Sequence, residues 1–251
     1  MLVGVVADVT PEQAVAQMEA AAGDADLFEV RLDRIRRLTP EDDWSPLFAR
    51  APRPTIATCR LRQEGGSFDG DEMEQRDWLQ QAVAAGASWV DLELIAEQEI
   101  VRHPQEVGVI RSIHALDAPC PEIERVLEAA GVAAGLGADL FKFVFQARGL
   151  ADCLKVREIC ERSPLPTVAI AAGEIGAPSR IAYRALGAHW TYGTLPAPSI
   201  GPHFPAADLG FEGLAPGILP LTWLRQRYRS HELHPDTRFL GVLGNPVKHS
   251  R

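Results

Sequence analysis

The chain has 251 residues, 46% of them hydrophobic, and a formal charge of −9, enough apolar material for two small domains or for one α/β barrel of about 250 residues. The acidic balance and the lack of basic runs argue against nucleic acid as a partner, because neutralising phosphates needs clustered Lys and Arg. No apolar run approaches the roughly 20 residues of a membrane helix, and Cys59, Cys120, Cys153 and Cys160 lack CxxC spacing, which reads as reduced cytoplasmic thiols and not as a disulfide framework or a zinc site.

Short apolar runs alternate with amphipathic stretches along most of the chain. The first strand, Leu2–Ala7, follows Met1 without a basic leader. Thr10-Pro11-Glu12-Gln13 then predicts a capped helix with proline at its first position. Asp26–Arg31 is the second strand, with Glu29 and Arg31 two apart and hence on one face. Thr39-Pro40-Glu41 repeats the helix-start pattern. The third strand, Thr55–Cys59, leads to Arg60, paired in alternation with Thr58, and to a Glu64-Gly65-Gly66 loop. A helix over Asp71–Ala85 precedes strand four, Trp89–Leu94, in which Asp91 and Glu93 oppose Val90, Leu92 and Leu94. Strand five, Val107–Ile113, ends at Ser112-Ile113-His114 and is followed by a helix over Pro121–Ala130. In strand six, Leu140–Phe145, the three phenylalanines alternate with Lys142 and Val144. A helix over Leu150–Arg162, strand seven at Thr167–Ala171, a helix over Ser179–Leu186 and strand eight at Trp190–Gly193 complete the series. Eight βα units favour a closed parallel (β/α)8 TIM barrel; an open doubly wound sheet would call for a Gly-rich turn after the first strand, and Ala7-Asp8-Val9-Thr10 has none.

Charged residues at the carboxyl ends of several strands lie where barrel sites are built, and so many interior charges are costly without pairing or function. Lys142, on a strand with three aromatics, reads as an amine made nucleophilic by burial; taking its pKa from about 10.4 to roughly 7–8 means disfavouring the cation by about 4 kcal/mol. The alternative is a lysine that reaches solvent at the strand end or pairs with a carboxylate. An amine, the neighbouring His114 and several arginines suggest imine formation with a ketone, proton removal beside it, and capture of an anion; alone, His114 reads more readily as a hydrogen-bonded core or loop histidine.

The ordered motifs Glu29-Val30-Arg31-Leu32-Asp33, Arg60 with Glu64-Gly65-Gly66, Asp91-Leu92-Glu93, Ser112-Ile113-His114, Lys142 and Ser179-Arg180 resemble the type I 3-dehydroquinate dehydratases, over about residues 2–195. The resemblance implies that Lys142 forms a Schiff base with 3-dehydroquinate, that His114 serves as general base and then acid, and that Glu64 orients His114. It implies that Arg180 holds the substrate carboxylate, with Glu29, Arg31 and Arg60 addressing ring hydroxyls, and that neither metal nor cofactor takes part.

The family closes its site with a Ser-Ala-Pro-Gly-Gln lid. Here Ser199-Ile200-Gly201-Pro202-His203 and Leu214-Ala215-Pro216-Gly217-Ile218 are the two candidates. The second is favoured, with an insertion at about 196–218 in a barrel spanning 1–230, and a last helix at Leu221–Tyr228. After a linker at 231–238, residues 239–251 resemble the opening strand of a shikimate dehydrogenase, as in a bifunctional fusion cut just after its second domain begins; that reading expects no dehydrogenase activity. Competing readings are another Schiff-base aldolase and a catalytically silent barrel serving the dehydrogenase. The expected partner is the small-molecule substrate, and the oligomeric state stays open, with a homodimer compatible.

Overall fold

The computed structural model describes residues 1–94, 107–195 and 215–239. Eight strands appear where the alternation places them: β1 (Leu2–Val6), β2 (Leu27–Arg31), β3 (Thr55–Thr58), β4 (Trp89–Glu93), β5 (Gly108–Ala115), β6 (Leu140–Gln146), β7 (Thr167–Ala172) and β8 (Thr191–Thr194). A ninth, β9 (Leu219–Pro220), was not legible. All pair in parallel, in the order β7-β6-β5-β4-β3-β2-β1-β8-β9. The sheet curls into the expected barrel. Contacts across the ring demonstrate this: Trp89 of β4 meets Trp190, just before β8, edge-on at 5.4 Å, and Lys142 of β6 reaches Glu29 of β2.

The seam between β7 and β8 is bridged at its base by the His189 N–H donating to Thr167 O at 2.9 Å. Above that, β9 pairs with β8, while the Gly173 N–H after β7 donates to Pro216 O at 3.0 Å. The Pro216–Pro220 stretch thus completes the wall. Gly217 has φ +70°, and a Cβ there would stand 2.2 Å from Gly173 O; only glycine meets both conditions.

Helices cover the outside. α1 (Pro11–Ala21) has the predicted capping box between Thr10 and Gln13, and α2 (Glu72–Ala84) has one between Asp71 and Glu74. α3 (Ile123–Gly135) starts two residues later than expected and runs further; α4 (Asp152–Arg162) packs with it over Phe141, Phe143 and Phe145, whose rings stack on the outer face of β6. Three expectations need correction. The stretch from Thr39 forms turns, not a helix: Asp42 takes the Thr39 N–H, and Pro46 disfavours helical geometry at Ser45 before a second turn can form. α5 covers only Ala177–Ile181 and passes into turns before Leu186. The expected last helix is a π-helical turn over Trp223–Arg227. No helix among the described residues is long and apolar enough to cross a membrane.

Inside the ring, side chains change character along the axis. The lower interior is an apolar plug of Val3, Leu27, Ile56, Ile110, Leu140, Val168 and Trp190. One step nearer the carboxyl ends, the same strands present Glu29, Thr58, Asp91, Ser112 and Lys142, all buried. Strands β7, β8 and β1 stay apolar or aromatic at that level, with Ile170, Tyr192 and Val5. The polar layer is therefore an arc over β2–β6, facing an apolar arc.

Candidate active site

A cavity of about 580 Å³, its open mouth included, occupies the carboxyl ends of the strands and is lined by Glu29, Arg31, Arg60, Glu64, His114, Lys142 and Arg180. All seven residues singled out by the sequence meet there. Parallel register explains why. Lys142 lies beside Ser112, and His114 beside Val144, so the lysine and the histidine occupy adjacent strands, two residues apart along the axis. Standard sheet spacings put their Cα atoms about 8 Å apart, leaving room between the side-chain tips for a small ring.

Lys142 Nζ donates to Glu29 Oε1 at 3.1 Å and to Asp91 Oδ2 at 2.8 Å, and lies 4.4 Å from the centroid of the Tyr192 ring. This corrects the expectation of a depressed amine pKa. Burial alone lowers it, but the Asp91 and Glu29 carboxylates outweigh burial and hold Lys142 above the ordinary lysine value. The resting amine is an ammonium ion, paired with carboxylates from two other strands.

Arg60 organises the floor of the polar arc. Its guanidinium lies 2.8 Å from Asp91 Oδ1 and 2.9 Å from Glu93 Oε1, and donates to Ser112 Oγ at 2.9 Å. The Glu93 carboxylate also accepts from the Leu61 N–H at 3.1 Å and from Gln75 Nε2 at 2.7 Å. Arg31 is held bidentately by Asp33, at 2.9 and 2.8 Å.

Glu64 closes a short turn after β3. Its Oε2 accepts from the His114 N–H at 3.1 Å and lies 3.0 Å from His114 Nδ1. Gly66 is required here, because a Cβ would stand 1.9 Å from Arg60 O. Burial, together with the Arg60 and Lys142 cations, holds the imidazole well below its usual pKa. It is therefore neutral near pH 7 and able to accept a proton at Nε2. Burial also raises Glu64 to about 7, against the pull of Arg60.

Arg180, 2% exposed, is placed by α5. Its guanidinium donates to Pro216 O at 3.5 Å, and its buried Nε has no partner among the described residues. Burial draws this guanidinium down to about 10, still cationic near neutrality. An unpaired buried cation lining a cavity is a ready receptor for a carboxylate.

Two participants carried no role in the sequence reading. Asp91 was legible as an interior acid, but nothing local showed that it reaches Lys142. Tyr192 was missed; its alternation with Trp190, just before β8, marks it as inward-facing. Of the two lid candidates, Ser199–His203 lies outside the described residues. In the other, Leu214 lies outside them, while Ala215 and Ile218 line the cavity.

The family model for type I 3-dehydroquinase matches residues 3–234. A bifunctional 3-dehydroquinate dehydratase/shikimate dehydrogenase from Arabidopsis thaliana is 31% identical over 98% of this chain; the chain spans 40% of that protein's length. A 3-dehydroquinate dehydratase from Desulfotalea psychrophila is 34% identical over 67% of this chain and 76% of its own. Among solved structures, 3-dehydroquinate dehydratase from Geobacillus kaustophilus superposes with a TM-score of 0.74 at 22% identity, covering 94% of this chain and 92% of that one.

Proposed function

The chain belongs to the type I 3-dehydroquinase family, and we propose that it dehydrates 3-dehydroquinate to 3-dehydroshikimate through an imine on Lys142. The observation that carries this reading is the convergence of a buried amine, a neutral imidazole and an unpaired guanidinium on one cavity.

Arg180 takes the substrate carboxylate, while Glu29 and Arg31, on the cavity wall, meet ring hydroxyls. Lys142 starts as an ammonium ion and must lose a proton to attack. Glu29, which lines the cavity and already accepts from Nζ, receives it. The free amine adds to the ketone carbon, and the carbinolamine hydroxyl takes the proton back from Glu29 and leaves as water, giving an iminium ion. Nε2 of His114 then removes a proton from the adjacent carbon; the electron pair flows into the iminium, giving an enamine. Collapse of the enamine expels the β-hydroxyl, which leaves as water with the proton from His114. Hydrolysis of the imine consumes one water and frees Lys142, so the net change is loss of one water. Glu64 holds the imidazole by Nδ1 throughout. The segment from Ala215 to Ile218, two of whose residues line the cavity, serves as the lid; it carries Ile218 where the family pattern has glutamine. Four free thiols support a cytoplasmic setting, and residues 239–251 resemble the opening of a shikimate dehydrogenase-like domain.

Incubation with 3-dehydroquinate and borohydride, followed by peptide mass mapping, tests the reading. The expected result is product formation with a reduced adduct on Lys142, both lost in Lys142→Ala, and an adduct without turnover in His114→Ala. An adduct only with other carbonyl compounds would point to a different Schiff-base lyase. No adduct with any carbonyl would overturn the imine mechanism.

A further inference from the structure

Tyr192 is the one aromatic side chain lining the cavity among the described residues. It is 4% exposed, and its ring centroid lies 4.4 Å from Lys142 Nζ. The ring is not free to turn away: its hydroxyl accepts from Trp190 Nε1 at 3.0 Å, and Trp190 is wedged edge-on against Trp89. A rigid aromatic column thus rises from the floor of the barrel to the reactive nitrogen.

The three kinds of contact on Nζ respond differently to the chemistry. An ammonium ion has three N–H donors, two of them committed to Glu29 and Asp91. A protonated imine has one N–H, so it keeps at most one of those bonds. The attraction between a cation and an aromatic face depends on charge and distance, not on donor count. It therefore persists when the ammonium becomes an iminium ion.

We infer that Tyr192 is a further catalytic residue, whose ring face stabilises the cationic nitrogen of Lys142 as ammonium and as imine. The inference deepens the imine reading and rests on it. A desolvated contact of this kind is worth about thirtyfold, equivalent to about 2 kcal/mol at 1.36 kcal/mol per decade.

The test keeps the ring and changes its electronics. Phenylalanine carrying zero, one, two and three ring fluorines is placed at position 192, since successive fluorines drain the negative face at nearly constant size. The expected result is a stepwise fall of about thirtyfold in the proton affinity of Lys142, about 1.5 pH units by lysine-resolved NMR, with the alkaline limb of kcat/KM moving to lower pH by the same amount while its plateau holds, because ammonium and iminium share the contact. Tyr192→Leu should reach the bottom of the series, and equal thermal melting across the fluorinated variants controls for folding. A flat series in both readouts overturns the inference. The Lys142 titration needs no turnover, and the wild-type borohydride adduct is measured first. Failure of the imine reading is therefore seen as a missing adduct, and failure of the Tyr192 role as a missing trend.

Discussion

Replacing Asp91 by asparagine keeps the shape of the side chain and removes one negative charge beside Lys142. Both carboxylate oxygens face donors. Oδ2 accepts from Lys142 at 2.8 Å; Oδ1 accepts from Ser112 Oγ at 2.6 Å and lies 2.8 Å from Arg60 Nη2. Either orientation of the amide therefore turns its NH2 toward a cation. Removing one partner from a fully buried pair costs about 3–5 kcal/mol, a large part of a total stability of about 5–15 kcal/mol. With a urea slope near 3 kcal/mol per M, the unfolding midpoint should fall by about 1–2 M. Releasing the Lys142 proton relieves part of the penalty, and a relief of ~3 kcal/mol corresponds to a drop of about 2 units in the lysine titration. The pH dependence has a definite sign. Lys142 is held above its unfolded value near 10.4, so its share is complete below about pH 10 and is lost as pH rises through the folded value. Asp91 is held far below its unfolded value near 3.9, so its share is complete above about pH 4 and is lost as pH falls through the folded value. The stability gap between wild type and Asp91→Asn should thus be flat from about pH 5 to 9 and narrow in acid and in strong alkali. Urea titrations across that range and lysine-resolved NMR measure both quantities. An unchanged midpoint together with an unchanged lysine titration would refute the pairing argument.

Three further outcomes follow from the geometry. Glu64, raised to about 7 mainly by burial, binds its proton more tightly folded than unfolded, so its contribution to stability declines as pH rises from about 4.5 to 7; Glu64→Gln should flatten that slope in chemical denaturation and lower kcat by loosening His114. Gly217→Ala places a Cβ against Gly173 O at a left-handed backbone position. The strain should cost about 1–3 kcal/mol and raise KM more than it lowers kcat, checked by calorimetry and steady-state kinetics; a neutral effect would show that the seam adjusts freely. Gln75→Leu removes the donor to Cys59 O at 2.6 Å and to Glu93 Oε2 at 2.7 Å, stranding buried acceptors at about 1–3 kcal/mol, which calorimetry should register as a fall in Tm of about 3–10 °C.

Much of this architecture is written in local patterns. Short apolar runs located all eight long strands, and period-two alternation separated the outward phenylalanines of β6 from inward Lys142 because a packed strand allows each face only one chemistry. The capping box at Thr10 fixed a helix start for the same local reason. What failed was long-range. Lys142 looked like a desolvated amine from its own strand; its partners, Asp91 and Glu29, come from β4 and β2, and only closure of the ring brings them into reach. The Thr39 helix start was overridden by Pro46 seven residues later. Strand β9 is two residues long and ends in proline, too short for any period to register. Tyr192 sat within a correctly placed strand, but its part depends on which residue lies across the barrel.

The division of the cavity wall into a charged arc over β2–β6 and an apolar arc over β7, β8 and β1 bears on handedness. Under the proposed function, a hydroxylated carbocycle pinned by its carboxylate at Arg180 can settle in two ways, related by turning it over. In one, its hydroxyls meet Glu29 and Arg31; in the other, they are pressed against Val5, Ile170 and Ile218 and lose their hydration for nothing. The wall therefore fixes which face of the bound ring is turned toward His114, and so which of two protons on the same carbon comes within its reach.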